Sequence, residues 1–81
     1  MIPKEPDITP TFLYNPSKDD FIYPYNGQDQ FMPSREITTF PKFLADHLAK
    51  HLAQKLALED GSKIHYEDRL ARWLDKIYVK L

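Results

Sequence analysis

His47 and His51 are four residues apart, a separation that places both imidazoles on one side of a helix. The zinc-binding H-E-x-x-H motif uses this spacing, but its glutamate is missing here and Lys50 would repel a cation. Only one more histidine, His65, and no cysteine could complete a site, whereas zinc needs at least three protein ligands. We therefore predict no metal and no cofactor, and two polar histidines that flank an apolar helix stripe within reach of the aromatic segment.

A nucleophilic enzyme would need a hydroxyl beside a base, a group that orients the base, and a turn that binds an oxyanion. The serines occupy turn or helix-cap contexts instead: Ser17, Ser34 and Ser62. The paired carboxylates are sequence neighbours for which solvent-facing positions are expected: Asp19-Asp20, Glu59-Asp60 and Glu67-Asp68. A chain of 81 residues also has little material to wall a pocket of several hundred Å³. We predict that the protein is not an enzyme.

Four basic residues recur near the end of the chain with helical spacing: Arg69, Arg72, Lys76 and Lys80. On one helix flank they could face phosphates. However, Asp68 and Asp75 border this stripe, and 11 basic against 12 acidic residues give a net charge of −1. The overall electrostatic field of a chain with this net charge is too weak to attract a nucleic acid. The pattern favours a solvated helix face with ion pairs, and nucleic-acid binding stays an alternative.

The chain has two halves of different composition. All seven prolines lie at or before Pro41, and eight of the eleven aromatic residues lie between Phe12 and Phe43. Because proline fixes φ and removes a backbone donor, most of the first half cannot be helical. Disordered segments are poor in aromatic residues, so residues 1–20 are predicted to form an extended arm that lies on a surface.

Residues 21–40 are predicted to form a small β-hairpin or a three-stranded meander. Asn26-Gly27 follows an aromatic run that begins at Phe21, and this dipeptide accepts the positive φ values of a tight turn. Gln28 to Met32 is the expected return strand, and Glu36 to Phe40 the expected third strand. Pro24 indicates an edge strand, because its missing N–H must face away from the neighbouring strand.

Residues 41–81 have the spacing of two helices that pack as an αα-hairpin. The first is predicted to end near Leu58, with leucines at every fourth position: Leu44, Leu48, Leu52 and Leu56. Gly61 supplies a stop and Ser62 a cap for the second helix. That helix is predicted to run to the chain end with one apolar face: Tyr66, Leu70, Trp73, Leu74, Ile77, Tyr78 and Leu81. The expected fold class is α+β, in one small domain.

The small size of the chain favours binding to a partner. Chains this short bury only about 60% of their unfolded surface, and without cysteine no disulfide can stabilise the fold. Aromatic residues are enriched at interface centres, and seven residues are predicted to bind the partner: Phe12, Leu13, Tyr14, Phe21, Tyr23, Tyr25 and Trp73. Two alternatives stay open: the arm folds back over the chain's own helices, or the helices self-associate through Trp73 and the leucine stripe.

Three motifs between residues 20 and 58 form a pattern. They are Tyr25-Asn26-Gly27, Met32-Pro33, and the run TFPKFLADHLAKHL from Thr39 to Leu52. This pattern resembles small virion-associated structural proteins of tailed bacteriophages. The resemblance implies a structural or assembly role in many copies at a capsid, portal or tail interface of the virion, after synthesis in the host cytoplasm. It implies no catalytic residues.

The function predicted from the sequence is therefore that of a non-enzymatic structural or adaptor protein that docks on larger structural proteins. The alternative is a small regulator that binds a host or phage enzyme, or nucleic acid, through the basic face of the second helix. No membrane partner is expected, because no run approaches the roughly 18 apolar residues of a membrane span and residues 1–10 lack the features of a signal peptide.

Overall fold

The computed structural model describes residues 6–80, as four strands followed by two helices. The elements are β1 (Pro10–Tyr14), β2 (Phe21–Tyr25), β3 (Gln28–Met32), β4 (Ile37–Pro41), α1 (Lys42–Glu59) and α2 (Tyr66–Ile77). This order confirms the predicted α+β class with a C-terminal pair of helices. The first five residues of the predicted arm, and Leu81 of the predicted helix face, lie outside the described residues.

The predicted β-hairpin is confirmed. Asn26 and Gly27 have φ values of 50° and 78°, which is the pattern of a type I′ turn. The turn fixes the register of the antiparallel pair, in which Pro24 lies opposite Asp29. Among residues 6–80, no further strand joins β2 and β3, so Pro24 is on an edge strand, as its lack of an N–H requires.

The third predicted strand, β4, does not extend the hairpin into a meander but pairs with β1. Leu13 lies opposite Thr38, and Thr11 opposite Phe40, so Leu13 and Phe40 share the face of the sheet that packs on α1. This pairing buries two large apolar side chains, whereas the mostly polar β3 offers β4 no comparable surface. Residues 10–14 are extended, as predicted for the arm, but they form part of the folded body.

Helix α1 begins at Lys42, one residue after the predicted start at Pro41, which is the last residue of β4. No side chain within residues 6–80 caps its first turn. The N–H groups of Lys42 and Phe43 donate instead to the backbone carbonyls of Thr9 and Asp7, each at 2.9 Å. These bonds satisfy donors that a helix start leaves without a partner. The predicted apolar stripe is buried along the whole helix: Leu44, Ala45, Leu48, Ala49, Leu52, Ala53, Leu56 and Ala57.

Helix α2 starts later than its predicted cap. The N-cap is His65, whose Nδ1 accepts a hydrogen bond from the N–H of Glu67. Ser62, the expected cap, accepts through its hydroxyl from the N–H of Ile64 in the preceding turn. The prediction of Ser62 was wrong because two more turn residues precede the helix.

Helix α2 also ends before the predicted chain end. It stops at Ile77, and Tyr78 forms an isolated antiparallel bridge with Leu13. The N–H of Val79 donates to the carbonyl of Phe12 at 3.2 Å. Strand-like pairing to β1 thus replaces the last predicted helical turn.

Both sheets and both helices share one core. Its buried side chains are Leu13, Phe21, Met32, Phe40, Leu44, Ala45, Leu48, Ala49, Leu52, Ala53, Leu56 and Ile77. Helix α1 contributes more of them than any other element and contacts α2, β1 and β4. The leucine stripe is therefore covered by the chain itself, which leaves it unavailable for the helix bundling between copies that was one alternative.

Asn15 is a polar side chain with no exposed surface in this core. Its Nδ2 donates to the backbone carbonyls of Asp19 and Met32 at 3.0 and 2.9 Å, and its Oδ1 accepts from the N–H of Ser17. The side chain thereby connects the end of β1 to the end of β3. Because these strands belong to different sheets, Asn15 fixes one sheet relative to the other.

Candidate functional site

The outer face of the β1–β4 sheet carries apolar side chains that point away from α1. We call it the sheet face and define it by Phe12, Tyr14 and Ile37. Tyr14 lies opposite Ile37 across the two strands, and Phe12 is two residues from Tyr14, on the same side of the strand. Ile37 is 58% exposed, while Phe12 and Tyr14 are half-buried. Adjoining exposed apolar side chains are a feature of interaction surfaces, so this face is a candidate site.

A second apolar surface, the hairpin face, is formed by Ile22, Pro24 and Phe31. Ile22 lies opposite Phe31 across β2 and β3, and the two residues are 57% and 46% exposed. Pro24, opposite Asp29, continues this face toward the turn. The chain's own core does not use these side chains, because the hairpin packs on α1 through its other face.

The inner face of the hairpin rests on the two histidines of α1. The Tyr23 ring stacks on His51, with 4.4 Å between ring centroids, and its hydroxyl lies 3.1 Å from Nε2 of His51. Tyr25 is 5.1 Å from His47, and the two imidazoles are 4.5 Å apart. His47 and His51 thus flank the leucine stripe and touch the aromatic segment, as predicted.

The environment of His51 favours its neutral form. Burial, followed by the charges of His47 and Lys50, lowers the pKa of His51 below its ordinary value. A neutral imidazole keeps one nitrogen as an acceptor, which suits a hydrogen bond from the Tyr23 hydroxyl. The chemistry of this histidine pair is that of a packing contact between β2 and α1.

The polar side chains that are candidates for catalysis or metal binding form hydrogen bonds within turns. Within residues 6–80, no three histidine, aspartate or glutamate side chains come together as a possible metal site. Ser17 accepts from the N–H of Asp19, and the hydroxyl of Ser34 donates to the carbonyl of Ser17. Asp20 accepts from the N–H of Ser34. The serines are therefore turn residues, as their sequence context indicates.

The seven residues predicted to bind a partner do not form one surface. Leu13 and Phe21 are 0% and 8% exposed and lie in the protein's own core, which corresponds to the alternative that the arm folds back over the helices. The other five are half-buried: Phe12, Tyr14, Tyr23, Tyr25 and Trp73. Of these, Phe12 and Tyr14 share the sheet face.

Trp73 lies apart from the other predicted partner-binding residues. Its Nε1 donates to Oδ2 of Asp60 at 3.3 Å, and Nζ of Lys76 lies 4.6 Å from the centre of its ring. An open cleft of about 250 Å³ next to it is lined by residues from three segments: Ser17, Lys18, Asp19, Leu56, Glu59, Asp60 and Trp73. The carboxylates of Asp60 and Glu59 are already engaged, the latter with Lys55.

Contacts within the protein occupy most of the basic stripe predicted on the second helix, and Lys80 lies beyond the end of α2. Nη1 of Arg69 donates to the carbonyls of Ala57 and Asp60 at 2.8 Å each. Lys76 covers Trp73, and Lys80 forms an ion pair with Asp75 at 2.7 Å. Arg72 is exposed. Arg69 therefore helps to terminate α1 and does not extend a phosphate-binding row.

Three exposed apolar residues are not among those predicted to bind a partner: Ile22, Phe31 and Ile37. Period-two alternation would have found the first two: once Asn26-Gly27 fixes the register, Phe21, Tyr23 and Tyr25 face one side and Ile22 the other. Ile37 carried no comparable signal, because its partner Tyr14 is distant in the sequence.

No protein-family model, curated protein or solved structure matches the chain. Within residues 6–80, neither helix combines the length and the apolar character needed to cross a membrane.

Proposed function

We propose that this chain is a non-enzymatic structural or adaptor protein that docks on a larger protein through its sheet face. The observation that carries the proposal is the cross-strand pair of Tyr14 and Ile37, the latter 58% exposed, on a surface that the chain's own core leaves uncovered. Phe12 extends this surface along β1. Aromatic and aliphatic side chains held on a rigid strand are suited to act as interface anchors, because little side-chain freedom is lost on docking.

The small number of residues on the sheet face limits the affinity that this face alone can provide. Full burial of a large apolar side chain contributes about 1.5 to 3 kcal/mol, and the three sheet-face residues are already partly covered. Sheet-face contacts alone would therefore support a modest affinity in solution. A protein that assembles in many copies gains the rest from multivalency, since neighbouring copies raise the effective concentration of each contact.

The assembly that we propose is the virion of a tailed bacteriophage, with the chain as a minor component at a capsid, portal or tail interface. The support for this step is the sequence resemblance. Its motif residues Tyr25, His47 and His51 belong to the cluster that holds the hairpin on α1. The pattern that resembles virion proteins thus coincides with a structural unit of this fold.

Incorporation into particles tests the proposal. Particles from the native source would be banded on a density gradient, and the chain in the particle fraction would be quantified by mass spectrometry. Ile37→Glu should reduce incorporation at least about tenfold, since it places a charge in the apolar contact. Leu58→Glu is the matched control, because Leu58 is 73% exposed on α1, away from the sheet face.

The outcomes separate the two parts of the proposal. If the wild-type chain is absent from particles, the virion assignment fails. If Ile37→Glu and Leu58→Glu enter particles as the wild type does, the sheet face is not the docking surface. Deletion of residues 1–20 would not separate docking from folding, because it removes Leu13 from the core.

A further inference from the structure

One edge of the hairpin carries backbone groups that no strand within residues 6–80 pairs with. The two residues that flank a two-residue turn exchange hydrogen bonds, and such pairs alternate along the ladder with pairs that do not. Pro24 opposite Asp29, and Ile22 opposite Phe31, are therefore the pairs without mutual hydrogen bonds. The N–H and C=O groups of Asp29 and Phe31 point outward from β3, away from β2.

The opposite edge of the hairpin is less able to accept a strand. Pro24 is at an outward-facing position of β2 and has no N–H to donate. The outer edge of β4 is also unpaired within the described chain, but the charged residues Glu36 and Lys42 flank it, and charges protect sheet edges. β3 has one charge, at Asp29, and lies beside the exposed pair of Ile22 and Phe31.

We infer that β3 pairs antiparallel with β3 of a second copy of this chain, so that two hairpins form one four-stranded sheet. The outward groups of Asp29 and Phe31 select the register. A two-fold axis at Gln30 places Asp29 opposite Phe31 of the second copy, and each such pair exchanges two backbone hydrogen bonds. If the second copy of β3 is shifted by two residues in one direction, the two Asp29 residues lie opposite each other and their carboxylates repel. If it is shifted by two residues in the other direction, Asp29 lies opposite Pro33, which has no N–H to donate.

The shared sheet also accounts for the exposed apolar pair. With the axis at Gln30, Phe31 of one copy and Phe31 of the other are diagonal neighbours on the same side, a distance that aromatic side chains can bridge. The two hairpin faces then join into one apolar surface. This inference goes beyond the proposed docking through the sheet face and does not depend on it, because the sheet face lies on the other sheet.

Analytical ultracentrifugation of the purified chain over a wide concentration range tests the inference. The wild type should show a reversible increase from the monomer mass toward twice that mass. Asp29→Pro removes one outward N–H per copy and leaves the hydrogen bonds between β2 and β3 intact, so dimerisation should weaken at least about tenfold. Pro24 already occupies the equivalent position of β2, which indicates that the hairpin tolerates proline there.

Two matched variants complete the experiment. Asp29→Asn keeps the N–H and removes the charge, so it should dimerise at least as tightly as the wild type. Thr39→Pro places the same change on the open edge of β4 and should leave dimerisation unchanged. Circular dichroism spectra would verify that each variant is folded. A chain that stays monomeric at millimolar concentration overturns the inference, as does a dimer that Thr39→Pro disrupts and Asp29→Pro does not.

Discussion

The hydroxyl of Tyr78 donates a 2.6 Å hydrogen bond to Oδ1 of Asp46, which joins the end of α2 to α1. The other carboxylate oxygen accepts from Nζ of Lys42 at 2.8 Å. Lys42 and Tyr78 together lower the pKa of Asp46. Burial and the bond to Asp46 raise the pKa of Tyr78.

Loss of this bond should destabilise the protein moderately. Tyr78→Phe removes the donor while Lys42 continues to hold the carboxylate, so we expect the free energy of unfolding to fall by about 1 to 2 kcal/mol. Tyr66→Phe is the control, because the Tyr66 hydroxyl has no hydrogen bond within residues 6–80. Urea unfolding monitored by the fluorescence of Trp73, the only tryptophan, measures both. Equal effects of the two variants would contradict the role of this bond.

Removal of the Leu13 side chain should lower the free energy of unfolding by much more than the predicted position of Leu13 in an extended arm implies. Leu13 is 0% exposed, and truncation of a buried leucine to alanine costs about 2 to 5 kcal/mol. Leu58→Ala, at a position that is 73% exposed, should change stability by less than about 0.5 kcal/mol. Chemical denaturation separates the two. A small effect at Leu13 would mean that β1 is a loosely attached arm.

Replacement of Asn15 by alanine or by aspartate should destabilise the fold. Alanine removes one hydrogen bond to the carbonyl of Asp19 and one to the buried carbonyl of Met32, and we expect a loss of about 2 to 4 kcal/mol. An ionised aspartate cannot donate to that carbonyl and adds a buried charge, so Asn15→Asp should be worse at neutral pH. Its stability relative to wild type should recover in acid, where the carboxyl group is protonated and can donate. Thermal melts at two pH values would show whether this recovery occurs.

Acidification should weaken the packing of the hairpin on α1 through His51. The pKa of His51 is lowered from its ordinary value of 6.5, so the folded state favours the neutral ring. Its stability contribution is therefore complete above about pH 6.5 and is lost as the pH falls through the lowered pKa. Unfolding free energies measured from about pH 8 to about pH 5 should fall more steeply in the wild type than in His51→Gln. Parallel curves would exclude His51 as the cause.

The sequence predicted the elements whose formation depends on residues close together in the chain. Asn26-Gly27 fixed the hairpin, and the leucine spacing from Leu44 to Leu56 fixed α1 to within a residue of its end. The partner of β4 could not be predicted in the same way. Both β1 and the hairpin were available to it, and the choice depends on which pairing buries more side-chain surface on α1.

The candidate docking residues were predicted in part. Phe12 and Tyr14 are on the sheet face, but Leu13 between them must point to the opposite side once the segment is a strand. A set that includes both Phe12 and Leu13 could face one partner only if the segment were irregular. The early end of α2 was also beyond local signals, because it depends on a bond between Val79 and Phe12.

That bond between the two ends of the described chain affects how the protein is made. β1 leaves the ribosome before residues 78 and 79, so the edge of β1 that pairs with them stays unpaired until they emerge. The hydrogen bond between Val79 and Phe12 closes a loop of nearly the full described length, and closing such a loop costs conformational entropy. Until then, the outward backbone groups at that edge of β1 are open to solvent or to pairing with another strand.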